Sequence, residues 1–131
     1  MKVLLLAATL TLLHAPAGPV AGAAPTAQCK RVDRVIAKQI RFERGRTTAV
    51  VKDRVVLCTA HRYRLRARAG QTMSVNLATG NRTSMTLLAP SDDVLADGEK
   101  SWSGELPVTG DYVINIGTDA TAAYTLEVTI R

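Results

Sequence analysis

From Arg62 to Arg68 every second residue is an arginine, and the residues between them are Tyr63, Leu65 and Ala67. Side chains two apart share a face only in an extended chain; a helix would turn neighbouring arginines to opposite sides. The segment therefore reads as a strand with one apolar and one cationic side, and a fold built on it must bury the first and leave the second open. After Ala69-Gly70, where glycine permits a reversal, Met73, Val75 and Leu77 repeat the alternation.

The same period recurs about eight times between turn residues. Ile40 and Phe42 alternate with Arg41 and Glu43; Gly45 turns the chain into residues 47–51, and Lys52-Asp53 leads into residues 54–58. Gly80-Asn81 makes another turn, Met85, Leu87 and Ala89 another apolar row, and Pro90 ends it. Residues 91–100 read as a polar surface connection with one short strand at Val94-Leu95, and Trp102 sits in the next short strand. Pro107 and Gly110 bracket a turn before Tyr112, Ile114 and Ile116; Tyr124, Leu126, Val128 and Ile130 face inward from the last strand. Tyr63, Tyr112 and Tyr124 each begin an alternating stretch, their rings suited to cap a two-layer core while the hydroxyls reach water or backbone. Only residues 32–39 leave a short helix open, without a clear cap. In a chain of 131 residues, 47% hydrophobic, the pattern predicts an all-β fold, a single antiparallel β-sandwich, jelly-roll-like, of about eight strands.

The first segment reads as an export signal. Lys2 is followed by an apolar run over residues 3–13, too short to span a bilayer, and Ala21-Gly22-Ala23 offers the small side chains a signal peptidase accepts. Residues 1–23 are thus expected to be a signal peptide and the protein to be periplasmic or secreted. Residues 24–39 are read as an N-terminal extension and residues 40–131 as the sandwich. Cys29 and Cys58 are the two cysteines, and an even pair in an exported chain reads first as a disulfide that tethers the extension; two reduced thiols are the alternative.

Three stretches carry a family likeness: residues 40–49 (IRFERGRTTA), residues 63–75 (YRLRARAGQTMSV) and residues 106–112 (LPVTGDY). Together they resemble the small β-sandwich of bacterial pre-peptidase C-terminal domains and of the periplasmic inhibitors of g-type lysozyme. The resemblance implies a binding protein and not an enzyme. Such inhibitors are associated with a short serine-glycine loop ending in tyrosine that enters the enzyme's cleft, and residues 109–112 are similar to it, with threonine in place of serine. By that likeness Thr109, Gly110 and Tyr112 form an inhibitory loop: Tyr112 enters the cleft, Gly110 allows close approach, and Thr109 hydrogen-bonds a catalytic carboxyl. A turn into a strand, with no partner, is the structural alternative.

Charge supplies a second signal. Residues 24–82 hold 14 basic and 3 acidic side chains, residues 83–131 hold 2 and 8. Arg62, Arg64, Arg66 and Arg68 form a basic face with about 6.7 Å between neighbours along the strand. Guanidinium groups pair bidentately with carboxylate and phosphate, so this face suits an anionic polymer, an acidic protein face or a phosphate-bearing envelope lipid. The alternative is a solvated face relieved by cross-strand acids such as Glu105, Asp111 or Glu127. Nucleic acid is not expected as a partner, since 4% aromatic residues leave no stacking platform among the arginines.

No recognised catalytic motif is present, and His61 is the one histidine outside the signal segment, so a triad would have to assemble around it with Ser101 or Ser103 and Asp111. Asp92, Asp93, Asp97 and Glu99 lack the spacing of a calcium loop. Trp102 has two readings, a sugar platform or a packed edge of the core. No cofactor, metal ligand set or membrane span is expected. The expected function is cleft occlusion in a hydrolase, with g-type lysozyme as the protein partner; the alternative is an envelope or extracellular module holding carbohydrate or anionic polymer on the arginine face.

Overall fold

Strands with one apolar side can hide it in water by pairing face to face, two sheets with a shared core between them. The structure, a computed structural model, describes Gly18, Cys29 and residues 31–80 and 82–131. The expected signal peptide lies outside these residues except for Gly18, as does Asn81 of the expected Gly80-Asn81 turn. The strands are β1 (Arg34–Gln39), β2 (Thr48–Val55), β3 (Thr59–Ala67), β4 (Thr72–Thr79), β5 (Thr83–Leu88), β6 (Val94–Glu99), β7 (Ser101–Glu105), β8 (Gly110–Thr118) and β9 (Ala122–Ile130).

They form two sheets, β1-β3-β8-β5-β6 and β2-β9-β4-β7. Counted from β2, the first, eighth, third and sixth strands make one sheet and the second, seventh, fourth and fifth the other, which is the order of an eight-stranded jelly roll. The ladders joining these eight are antiparallel. Between the sheets lie the residues the alternation assigns to the core, among them Leu65, Met73, Leu87, Ile114 and Leu126. Burial of such a side chain contributes roughly 1.5–3 kcal/mol.

The first strand departs from the sequence reading. Residues 32–39 leave a short helix open, and the expected boundary puts them outside the sandwich; Arg34–Gln39 is instead a ninth strand, parallel to β3. Its sequence, RVIAKQ, has little alternation of its own. Pairing supplies what the pattern lacks, because β1 satisfies backbone groups along the edge of β3 that would otherwise face solvent. The strand expected over Ile40 and Phe42 is correspondingly absent. The Ile40 amide donates to the Arg64 carbonyl at 3.0 Å, and the chain then crosses to the other sheet, turning at Gly45 with φ +76°. Ile40 and Phe42 still pack on the core during that crossing. Lys52 and Asp53 are not a link between strands but lie inside β2, opposite Thr125 and Tyr124.

Cys29 and Cys58 are joined in a disulfide with 5.2 Å between their Cα atoms. The Asp33 amide donates to the Cys58 carbonyl at 2.9 Å, so the start of β1 is fastened to the β2–β3 turn twice. The cross-link spans a sequence separation of 29, for which the chain-entropy model gives roughly 3–4 kcal/mol. Urea denaturation of residues 24–131, oxidised against Cys29→Ser/Cys58→Ser, is expected to show a stability loss of about that size with the cooperative transition retained; equal midpoints would contradict it.

Candidate functional site

At one end of the sandwich the turn after β3 and the loop before β8 are stitched into a single surface. Gly70, at φ +85°, occupies the left-handed region that glycine enters without strain. Its amide donates to the Leu106 carbonyl at 2.9 Å, and the Leu106 amide returns a bond to the Gln71 carbonyl at 2.8 Å. The Ala69 amide donates to the Thr109 hydroxyl oxygen at 2.9 Å, and the Arg68 amide to the Gln71 side-chain oxygen at 2.8 Å. Pro107, Val108 and Thr109 remain exposed at the tip. Thr109 accepts one bond from the turn and keeps its own hydroxyl proton free to donate outward.

The expectation that Tyr112 leaves the loop to enter a cleft is not met. Its side chain is fully buried, because alternation along β8 turns Tyr112 inward with Ile114 and Ile116. Its hydroxyl donates to the Val108 carbonyl at 2.6 Å, pinning the loop from beneath. Gly110 also serves the interior. At φ +153° a Cβ there would stand 2.8 Å from Cβ of Pro90, so the missing side chain makes room for Pro90. Of the three loop residues, Thr109 alone presents a side chain to solvent, and the other two set its position.

The four arginines are all exposed, as the alternation requires. Arg66 and Arg68 meet the loop: with Ala67, Gln71 and Thr109 they line an open cavity of about 690 Å³. Arg62 and Arg64 lie farther along β3 and line a separate basin of about 440 Å³ with Ala37, Lys38 and Gln39. The expected relief of charge is slight. Glu105 and Glu127 belong to the other sheet, and Asp111 stands 3.8 Å from Arg66, an exposed pair worth about 0–1 kcal/mol. Strand order converts the asymmetry of the sequence into a lateral gradient. Across the five-stranded sheet β1 carries Arg34 and Lys38, β3 three arginines, β8 Asp111, and the far edge β6 Asp97 and Glu99.

A polar cluster that the sequence pattern does not reveal closes the β1–β2 side. Lys38 on β1 and Asp53 on β2 bridge the sheets at 2.5 Å. Beneath them the buried His61 ring places Nδ1 2.6 Å from the Tyr124 hydroxyl and 3.8 Å from Asp53, and the Tyr124 hydroxyl lies 2.5 Å from that of Tyr63. Tyr63 and Tyr124 therefore spend their hydroxyls on each other between the sheets, not on water or backbone. Four strands meet here, which is why no local motif announces it. The Lys38 hydrogen bond holds the Asp53 carboxyl below its usual range and raises the ammonium of Lys38 in turn. Burial lowers His61 against the opposing pull of Asp53, and raises both phenols.

These positions exclude the triad weighed from sequence: His61 is inside, whereas Ser101 and Ser103 are exposed on the far sheet. Trp102 packs on the edge of the core, its indole lying where a Cβ on Gly104 would be. Asp97 accepts from the Thr86 hydroxyl and Asp93 from the Ser91 hydroxyl. Among the described residues no three carboxylate, imidazole or thiol groups converge as a metal site would need, and no helix is long and apolar enough to cross a membrane.

Solved structures share this architecture. PliG of Aeromonas hydrophila, a periplasmic inhibitor of g-type lysozyme, superposes with a TM-score of 0.69 at 24% identity, covering 75% of this chain and 98% of its own. The chain has the PliG fold. PliG of Salmonella Typhimurium follows at TM-score 0.60 and 18% identity over 72% of this chain and 97% of its own; a mutant PliG of Escherichia coli gives 0.56 and 18% over 75% and 97%. No protein-family model matches the chain, and no curated protein matches it.

The buried imidazole makes stability depend on pH. The unfolded chain takes a proton on histidine near 6.5 while folded His61 takes it only at lower pH, so the unfolded state holds more protons in that window and stability falls as pH drops through it. Asp53 adds a second loss at more acid pH, as the folded carboxylate is forced to accept its proton. Unfolding midpoints measured between about pH 5 and 7 are expected to decline toward acid in the wild type and to flatten in His61→Gln; parallel profiles would contradict this account.

Proposed function

We propose that the mature domain is a non-enzymatic, exported binding protein that occludes the cleft of a hydrolase, with g-type lysozyme as its target, in the periplasm or outside the cell. The observation that carries the reading is the convergence of Thr109, Arg66 and Arg68 around one open cavity at the end of the sandwich. It is supported by a fold shared with inhibitors of that enzyme class.

The chemistry fits a glycosidase cleft. Such clefts generally hold a pair of carboxyl groups beside the scissile bond. Two guanidinium groups and an outward hydroxyl are complementary donors for carboxylates, and a charge-assisted bond formed away from bulk water contributes about 1.5–3 kcal/mol. The loop arrives pre-shaped: Tyr112 holds Val108, Gly110 accommodates Pro90, and the Thr109 oxygen is tied to Ala69. Little ordering remains to oppose binding, which favours affinity. Arg66 and Arg68 therefore take the role first assigned to Tyr112, as the groups that meet the enzyme, and Tyr112 acts through the loop it supports.

Titration of a g-type lysozyme with the mature chain is expected to abolish wall lysis at one-to-one stoichiometry. Arg66→Ser/Arg68→Ser is expected to weaken inhibition by well over tenfold, and Thr109→Val by roughly tenfold. Tyr112→Phe is expected to lower stability by about 1 kcal/mol through loss of the Val108 bond, with a smaller effect on inhibition. Absence of inhibition at micromolar concentration, or full inhibition by the arginine double variant, would overturn the reading.

A further inference from the structure

Arg62 and Arg64 lie outside the cavity assigned to the cleft-facing end, and both are exposed. The outer face of the other sheet mixes hydroxyls with charges of both signs, Lys52 and Arg54 on β2 and Glu127 on β9. There Thr48, Thr129, Ser74 and Ser103 stand in one row across four strands. The corresponding face of the first sheet carries arginines instead. Among the described residues neither Arg62 nor Arg64 forms an ion pair; the pairs are Lys38–Asp53, His61–Asp53 and Arg66–Asp111. Like charges held about 6.7 Å apart on one strand repel one another, and among the described residues Arg62 and Arg64 have no carboxylate partner to relieve them.

We propose that this face is a second binding site, for a linear anionic polysaccharide laid along β3. The parallel register of β1 sets Ala37 beside Arg62 and Gln39 beside Arg64, so a small side chain opens the basin and an amide borders it. At about 440 Å³ the basin falls in the size range of small-ligand sites. Asn115 accepts from Nε of Arg62 at 3.0 Å, which orients the guanidinium and leaves its terminal N–H groups for a carboxylate. Gln39 offers both a donor and an acceptor to sugar hydroxyls.

Geometry selects the occupant. Lys38, which also borders the basin, is paired with Asp53, and the remaining charges stand in single file along β3, with uncharged Ala37 and Gln39 on one side and Val113 and Asn115 on the other. A file matches a chain polymer bearing an acid on successive sugars, whereas a lipid surface is met by charges spread over a disc together with apolar anchors. Aromatic platforms are missing from this face: the tyrosines are buried, Phe42 packs on the core and Trp102 belongs to the other sheet. Recognition therefore rests on charge, and neutral glycans are excluded. The site is independent of the proposed plug, so the inhibitor can be held on an acidic glycan while its loop end stays free.

The test uses the mature chain, with polygalacturonate as the acidic probe, dextran as the neutral one, and vesicles of phosphatidylcholine with about one-third phosphatidylglycerol. Binding to polygalacturonate is expected at about 50 mM salt, weakening at least tenfold by about 200 mM. Arg62→Ser/Arg64→Ser, which copies the opposite face, is expected to weaken it at least tenfold at the lower salt while lysozyme inhibition and the thermal midpoint are kept. Polymer binding equal in the double variant, no binding by the wild type, equal binding to dextran, or binding to vesicles alone would each overturn the proposal. Loss of inhibition in Thr109→Val with polymer binding intact would bear on the plug only, so the two readings fail separately.

Discussion

Strand β3 is the constraint on which the rest of this molecule depends. Its register commits Tyr63, Leu65 and Ala67 to the core and Arg62, Arg64 and Arg66 to solvent. A slip of one residue would exchange the two sets and bury three guanidinium groups, at a penalty no packing in a domain of this size offsets. Because the strand is flanked by β1 and β8, the same register also decides what lines the basin and where Asp111 stands. Core and proposed binding surface are two sides of one ribbon.

The loop end follows from a division of labour among neighbouring residues. Burial of the Tyr112 ring anchors β8, and its hydroxyl then satisfies backbone that would otherwise leave Val108 free. Gly110 gives way to Pro90, and the Ala69 amide turns the Thr109 oxygen into part of the scaffold. A rigid tip with two cations beside it differs from a single tyrosine thrust forward. In the proposed complex it distributes contact over exposed polar groups, on a loop already held by the Tyr112 and Ala69 bonds.

Much of this was legible from residues alone, for a physical reason. Period-two alternation is local, so β3, β4, β8 and β9 and their inward rows could be placed without knowing their neighbours. Placing Tyr112 in the inward row with Ile114 and Ile116 already conflicted with sending it into a cleft; for that residue the alternation was the stronger physical signal, while the likeness held for the fold. What stayed hidden is what depends on pairing and packing between strands distant in sequence. RVIAKQ becomes β1 only because β3 accepts it, Lys52-Asp53 reads as a link until β9 shows them in register, and the Lys38, Asp53, His61, Tyr124 cluster draws on four strands. The disulfide was readable from the cysteine count and the expected export signal, since both depend on composition and not on packing.

Amide hydrogen exchange of the mature chain, alone and saturated with g-type lysozyme, tests the account most directly, because it maps contact without altering a residue. Slowed exchange confined to residues 66–71 and 106–111, with the β1–β3 basin unchanged, is the predicted footprint. Protection centred on the hydroxyl-bearing sheet or on the acidic β6 edge, or an unchanged pattern under saturating enzyme, would contradict it.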